Sequence, residues 1–414
     1  MHITVAEYVI STFTSPETFI GIFILVSGAF ALMNKIAMKK YVCGLVNLQF
    51  STIIVISVTI NLYLDGFLVV ERLLHLLLVE GLLSIGVLWF YRGIIRIEDL
   101  QNNLIKFYNN HTWLWLFPVI LLILMNFLNV VDGRSRIEFQ TNYWFSFVRP
   151  FSSLCYPILI LGIYVNIFLK RYSYSTAFLL VALLSSISSG SKGAFIISII
   201  SWYFVYRDIF KFPLMKLNTQ TISFLLLCLG GAGFNLVSAN VGLMGVIERI
   251  VSYGDATILL YQAADPALAC ADQSSLSLIH RGLARLLGDP TALDNGTLFG
   301  FSVSEIFYGG HNYTGPNARI GAYTLCAFPG FSVVYMFIIY IGYFALLTTL
   351  IYWTFDGLSR YKLVGIFTPF IIASLMASLV DYNRVMSDVT FIFIGYLCVI
   401  AYLVIPKRRI FHGS

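Results

Sequence analysis

Long apolar stretches alternate with short polar segments along most of this 414-residue chain. A helix needs about 20 mostly apolar residues to cross a lipid bilayer, and the pattern predicts about eleven such helices. They lie near 18–34, 42–64, 73–91, 113–131, 151–169, 174–189, 193–206, 221–242, 323–352, 363–380 and 389–405. We therefore expect an all-α polytopic membrane protein in which residues 1–414 form a single integral membrane domain.

The composition supports this interpretation. Hydrophobic residues make up 58% of the chain and charged residues 11%, against about 45–50% and about 25% in soluble domains. A soluble core cannot enclose this excess of apolar side chains, which excludes a cytosolic enzyme and a nucleic-acid-binding protein. The six cysteines show no paired framework or CxxC spacing. No metal-binding or nucleotide-binding motif is present, so we expect no metal and no cofactor.

The 26 lysines and arginines divide unequally between two sets of loops. One set holds 16 of them, at 35–40, 92–106, 170–171, 207–216, 360–362 and 407–409. Cytoplasmic loops are enriched in such cations, so this set is predicted to be cytoplasmic, with the N-terminus outside and the C-terminus inside. The outer side then has a short loop, 132–149, and a large loop, 244–319, which is long enough to form a small helical cap.

The outer set of cations is almost free of lysine. It consists of Lys192, Arg72, Arg134, Arg136, Arg149, Arg249, Arg281, Arg285, Arg319 and Arg384. The planar guanidinium of arginine pairs bidentately with phosphate and keeps its charge. The bias indicates an anionic ligand at the outer leaflet. For any single residue the alternative is a structural ion pair, such as Arg384 with Asp381 or Asp388, or a lipid-headgroup contact.

Three of the outer segments have patterns that suit an anionic glycan. Lys192 starts a helix after a small-residue turn, where free N–H groups and the helix dipole favour an anion. Arg281 and Arg285 stand one helical turn apart, and Arg134 and Arg136 precede an aromatic-rich segment suited to sugars. The alternatives are a glycine turn with a snorkelling lysine, a solvated helix face and an interfacial aromatic belt.

The two ends of the large loop carry further candidates. The entrance, 248–255, contains Arg249 and Asp255, which are either a cation and a base or a salt bridge. The exit, 309–321, is glycine-rich and carries His311 and Arg319. Irregular backbone of this kind can present N–H groups to an anion, and the alternative is a loop-to-helix connector.

Glu80 and His75 lie inside the predicted span 73–91. Ionisable residues within the membrane are functional candidates by default. Neither has a partner that is recognisable in the sequence.

Together these features resemble the Wzy-type O-antigen polymerases of the bacterial envelope. Residues 189–193 (SGSKG) are similar to the family's Ser/Thr-Gly-Ser/Thr-Arg-Gly turn, with lysine where the family usually has arginine. Arg249 followed by 254–255 looks like the family's loop entrance. Residues 316–321 leading to 328–330 look like its loop exit.

The resemblance implies a glycosyltransferase of the bacterial inner membrane with a GT-C-like helix bundle. It implies transfer of a glycan from undecaprenyl pyrophosphate to the next lipid-linked repeat unit at the periplasmic face, with inversion and without metal. The catalytic candidates are Arg319, Arg249, Asp255 and His311. The substrate-binding candidates are Lys192, from the similar turn, and, from the outer arginine bias, Arg134, Arg136, Arg281, Arg285 and Arg384. The implied partners are the lipid-linked oligosaccharide, membrane lipid and a chain-length regulator protein, with no nucleic acid.

Two alternatives stay open. An O-antigen ligase has the same layout with a lipid A-core acceptor, and His311 or Arg319 as the essential exit residue would distinguish the two. A transporter or flippase of a lipid-linked anionic glycan is the other. Carriers place their site at the midplane between repeated halves, whereas this chain shows no repeat and its candidate cations are predicted at one face.

Overall fold

The computed structural model describes residues 16–95, 100–110, 115–116, 119–124, 127, 159–188, 203–212, 222–223, 226, 230, 255–262, 319, 322, 325, 334 and 337–338. Within this part of the chain all regular structure is helical, and no strand occurs. The prediction of an all-α protein is confirmed for these residues. The predicted count of eleven spans depends on segments outside them.

Most of the helices coincide with predicted apolar stretches. The helices are α1 (Pro16–Met38), α2 (Cys43–Leu48), α3 (Phe50–Leu64), α4 (Val70–Ile95), α5 (Leu100–Asn110), α6 (Tyr172–Ser188) and α7 (Asp255–Gln262), and 159–168 and 203–210 are also helical. Helix α5 lies between the predicted spans 73–91 and 113–131. The predicted span 42–64 is divided at Gln49 into α2 and α3. The predicted span 73–91 is extended at both ends in α4.

Two of the described helices are long and apolar enough to cross a membrane, namely Glu17–Met38 within α1 and Val70–Gly93 within α4. Helix α1 exposes much of its apolar surface, with Leu25 73% and Ile36 71% exposed. Apolar area costs about 25 cal/mol per Å² in water, so this surface suits contact with lipid. We treat α1 and α4 as candidate membrane-spanning helices.

Helix α3 is the centre of the described bundle. Every residue from 52 to 59 is buried, and a helix that is buried all round belongs to a core. Helices α1 and α4 both pack against it. On α4 the buried positions include Leu76, Leu83 and Tyr91, whereas Leu78 and Ile85 are exposed on another face.

Most of the buried polar side chains of α3 are satisfied within the helix. Ser57 Oγ donates to the carbonyl of Ile53 at 2.7 Å, and Thr59 Oγ1 to that of Val55 at 2.7 Å. Asn61 Nδ2 donates to the carbonyl of residue 57 at 2.8 Å. Bonds of this kind to a carbonyl one turn earlier let a polar residue remain inside an apolar bundle.

A chain of amides joins α1 to α4 across the break at Gln49. Asn34 Nδ2 donates to Gln49 Oε1 at 2.7 Å, and Gln49 Nε2 donates to the carbonyl of Ser84 at 3.3 Å. All three side chains are buried. Because a buried polar group without a partner costs about 1–3 kcal/mol, these bonds fix how the helices align.

Asp208 gathers three segments at the C-terminal end of α4. Its Oδ2 accepts the N–H of Gly44 at 2.8 Å and the hydroxyl of Tyr91 at 3.2 Å, and its Oδ1 accepts Arg207 Nη2 at 3.0 Å. The loops at 35–40, 92–106 and 207–216 adjoin these segments. The contacts therefore bring the described parts of three cation-rich segments to one end of the bundle.

Several helices are followed by a left-handed turn, which contains glycine after α3 and lysine elsewhere. Helix α3 is followed by Gly66, which has a φ of 77°, and the N–H of Phe67 donates to the carbonyl of Leu62 at 2.8 Å. Segment 159–168 ends in the same left-handed turn with Lys170 at φ 58°. Lys39 and Lys211 also have positive φ. Lysine is less favourable than glycine in this conformation, but its charge complements the helix dipole.

Substitution of Gly44 tests the close packing at the C-terminal end of α4. A Cβ at Gly44 would lie 2.7 Å from Asp208 Oδ2 and 2.8 Å from the carbonyl oxygen of Phe204, and would also clash with the Tyr91 hydroxyl. We expect Gly44→Ala to lower the free energy of unfolding by about 1–3 kcal/mol, measured as a lower melting temperature of the detergent-purified protein. Gly81→Ala is the matched control, since a Cβ there meets nothing within 4 Å. Equal melting temperatures for the two variants would contradict the predicted clash.

Candidate functional site

The candidate site forms around Glu80, which lies on the buried face of α4 and is 1% exposed. At about 1.5 Å of rise per residue it is roughly 15 Å along the axis from the first residue of the helix. A carboxylate at this depth in a candidate membrane-spanning helix requires a partner, because an unpaired buried charge costs several kcal/mol. The sequence identified Glu80 as a candidate but provided no partner.

The partner is Arg319, from the predicted exit of the large loop. Its Nε donates to Glu80 Oε1 at 2.8 Å and its Nη2 to Glu80 Oε2 at 2.6 Å. This is the bidentate arrangement that makes arginine–carboxylate pairs strong and directional. The side chains of Arg319 and Glu80 are 1% and 2% exposed. Removing one member of such a buried pair typically costs about 3–5 kcal/mol.

Two hydroxyls from the start of α3 complete the contacts of the guanidinium. Arg319 Nη1 donates to Ser51 Oγ at 3.0 Å, and Nη2 donates to Thr52 Oγ1 at 2.6 Å. Thr52 in turn donates to Glu80 Oε2 at 3.1 Å. Unlike the other buried hydroxyls of α3, Thr52 therefore bridges the two charged side chains.

The main chain of Arg319 is held as firmly as its side chain. Its N–H donates to Thr257 Oγ1 at 2.9 Å, and its carbonyl accepts the N–H of Ala322 at 3.0 Å. Thr257 is buried near the start of α7, just after the predicted loop entrance. The contact therefore joins the entrance and the exit of the predicted loop 244–319.

Helix α7 also contacts α4 directly, at a point closer than Glu80 to the N-terminal end of α4. Tyr261 Oη lies 2.7 Å from His75 Nδ1, and the two ring centroids are 5.6 Å apart. Burial raises the pKa of Tyr261 well above its ordinary range; the charge of Glu80 raises it further and that of Arg72 opposes the shift. Tyr261 is therefore a neutral phenol that shares a hydrogen bond with the imidazole.

The electrostatic balance of this site differs from the sequence expectation. Arg319 was expected to present its charge to an anion at the outer surface. In the structure its charge is balanced by Glu80, and Nε and both terminal nitrogens donate to protein oxygens. The arrangement is suited to holding the chain in place. A role for Arg319 in contacting substrate stays a prediction.

The remaining predicted site residues are less completely placed. Asp255 is the first residue of α7, at the end of the predicted loop entrance 248–255, and its side chain lies outside the described residues. The predictions for Arg134, Arg136, Lys192, Arg249, Arg281, Arg285, His311 and Arg384 also fall outside the described residues. The structure brings together Arg319 and the segment that follows Asp255.

Sequence reasoning missed the residues that connect the charged pair to its surroundings. Ser51, Thr52, Thr257 and Tyr261 are ordinary polar residues in apolar stretches, and no motif marks them. Glu80 and His75 were distinguished only by their charge within a span. Among the described residues no group of three or more His, Cys, Asp or Glu side chains is arranged to hold a metal ion.

Comparison of the chain with protein-family models, with curated proteins and with solved structures gives no match.

The bond between Thr257 and Arg319 predicts a stability effect. In Thr257→Val the N–H of Arg319 loses its acceptor while remaining buried, so we expect a loss of about 1–3 kcal/mol in the free energy of unfolding. Thr257→Ser keeps the hydroxyl and should melt close to the wild-type temperature. A fluorescence-monitored melt of both purified proteins measures the difference. Equal melting temperatures for Thr257→Val and Thr257→Ser would refute the contact.

Proposed function

We propose that this protein is a glycosyltransferase that polymerises undecaprenyl-pyrophosphate-linked repeat units at the periplasmic face of the bacterial inner membrane. The observation that carries the proposal is the contact between Arg319 and Thr257, which brings the two ends of the predicted outer loop together on α4. Two of the three segments that resemble the polymerase family, the entrance 249–255 and the exit 316–321, lie at these ends. A GT-C-like bundle with about eleven spans and an outer N-terminus is part of the same proposal.

The chemistry needs a site in which both loop ends meet. The hydroxyl of the acceptor sugar attacks the anomeric carbon of the donor, the C–O bond to pyrophosphate breaks, and the configuration inverts. Pyrophosphate leaves with its negative charge, so fixed cations that neutralise this charge lower the barrier. A base takes the proton of the hydroxyl.

The residues assigned to these steps come from the sequence. Arg249 is the candidate cation at the entrance, and Asp255 and His311 are the candidate bases. Lys192 and the other outer arginines are candidates for binding the pyrophosphate and the glycan. Convergence of the loop ends supports this assignment, because residues about 60 positions apart must act on one substrate.

One observation favours a second candidate, a carrier for a lipid-linked anionic glycan. The pair of Glu80 and Arg319 lies well inside the bundle and is buried. Carriers place ionisable residues within the membrane along the substrate path. The outer cations were predicted at one face, whereas Arg319 is well inside, which is closer to the expectation for a carrier.

Deletion of the gene in its host, followed by electrophoresis of lipopolysaccharide, separates these functions. Without the polymerase, we expect lipid A-core that carries single repeat units in place of the long-chain ladder. Long chains of normal length would contradict the proposal. Complete loss of O-antigen would indicate another function: polymerised glycan left on undecaprenyl pyrophosphate identifies a ligase, and unpolymerised units identify a carrier.

Substitution at the loop entrance tests the site itself. We expect Arg249→Ala to reduce long-chain product by about 10- to 100-fold, as the loss of a charge-assisted contact of about 1.5–3 kcal/mol implies, with an unchanged amount of protein in the membrane. Arg92→Ala, at an exposed position at the far end of α4, is the control and should leave the ladder intact. A normal ladder from Arg249→Ala would remove this residue from the proposed site.

A further inference from the structure

We infer that Arg319 is a positioning residue which, with Glu80, clamps the two ends of the large loop onto α3 and α4, and that Arg319 does not bind the substrate. The inference rests on the proposed function for what the clamp serves, namely the alignment of the entrance and exit residues. The clamp itself rests on contacts that are independent of any substrate.

The first argument is that the guanidinium is already occupied. Four hydrogen bonds connect it to Glu80, Ser51 and Thr52. The carboxylate of Glu80 takes one bidentate edge of the guanidinium, formed by Nε and Nη2, and the hydroxyls of Ser51 and Thr52 take the other, formed by Nη1 and Nη2. A phosphate could bind bidentately only after one of these edges had been released.

The second argument is burial. With side-chain exposures of 1% and 2%, neither member of the pair can be reached from solvent or from the surface of the bundle. Displacing the carboxylate would leave Glu80 charged and unpaired in an apolar interior, which is strongly unfavourable. An anion arriving at the surface also meets a pair whose charges cancel.

The third argument is that the side chain and the main chain of Arg319 bind different helices. Its side chain binds α3 and α4, while its N–H binds Thr257 of α7. One residue therefore attaches the loop exit to the bundle and the loop entrance to the exit. Thr257 follows Asp255 by two positions in the sequence, and His311 precedes Arg319 by eight, so the clamp controls the placement of the candidate bases.

The fourth argument is the second contact of the same helix. Tyr261 of α7 binds His75 of α4, one turn of α7 beyond Thr257. Helix α7 is held at two points, directly on α4 through Tyr261 and indirectly through the bond from the N–H of Arg319 to Thr257. The entrance segment is therefore held in a single orientation, as the alignment of reacting groups requires.

The experiment compares single and paired replacements in the full-length chain. Arg319→Met alone leaves Glu80 unpaired, and we expect several-fold less protein in the membrane. Reversing the pair (Glu80→Arg with Arg319→Glu), or replacing both residues by methionine, should restore the amount of protein, because a buried pair can be exchanged for a balanced or an apolar one. If the pair acts as a clamp, at least one paired variant that folds should also make long chains. We expect its amount of long-chain product per molecule of protein to be within about threefold of wild type.

The opposite result would identify a substrate-binding arginine. If every paired variant that reaches wild-type amount and melting temperature makes no long chains, the inference is overturned. Long-chain product in the methionine pair would be especially informative, since this variant has no charge at either position. Asp208→Asn is the control for general destabilisation of the bundle, because it disturbs a polar cluster at the other end of α4.

Labelling of the wild-type protein keeps the inference testable if no paired variant accumulates. Phenylglyoxal modifies accessible arginines, and mass spectrometry locates the product. In the folded protein we expect exposed Arg92 to be labelled and Arg319 to be protected until the protein is denatured. Rapid labelling of Arg319, with protection by added pyrophosphate, would overturn the inference.

Failure of the proposed function is recognised separately, by an unchanged ladder after gene deletion. That result leaves the labelling and melting results valid for the clamp.

Discussion

The structure depends on one electrostatic constraint: a charge placed inside an apolar helix bundle must be matched by an opposite charge with good geometry. Glu80 creates this requirement about 15 Å along α4, and Arg319 meets it with two parallel hydrogen bonds. The remaining donors of the guanidinium and the hydroxyl of Thr52 are then satisfied by the same few residues. A distant part of the chain is consequently held at a defined depth in the bundle.

Polar contacts at the two ends of α4 perform comparable tasks with different chemistry. At the C-terminal end, Asp208 accepts bonds from Gly44, Tyr91 and Arg207, and the absence of a side chain at Gly44 permits the close approach. Toward the N-terminal end, a charged pair and the contact between His75 and Tyr261 hold the predicted loop. The first cluster joins neighbouring helices, whereas the second determines where the ends of a long insertion lie, so the second is more closely connected with function.

The proposed polymerase and the clamp are compatible but separable. The proposed transfer between two lipid-linked glycans needs cations and a base held in fixed relation. The attachment of helix α7 and the loop exit at several points would meet this need. The cations that meet the pyrophosphate are then sought among the outer residues that no internal carboxylate neutralises. The proposal therefore assigns substrate binding to the other outer arginines and positioning to Arg319, although all of them belong to the same arginine-rich outer set.

The sequence alone predicts the helical class, the positions of most described helices, and the presence of the cation-rich segments 35–40, 92–106 and 207–216 on one side. These properties follow from local patterns: apolar length, the distribution of lysine and arginine, and small residues at turns. It also singled out Glu80 and Arg319 separately, since each charge stands out against apolar or glycine-rich surroundings. Only the tertiary structure paired them, because residues 239 positions apart meet through packing that no local pattern encodes. The same reason explains why Thr52 and Thr257, which are unremarkable in sequence, were identified only by the groups they contact.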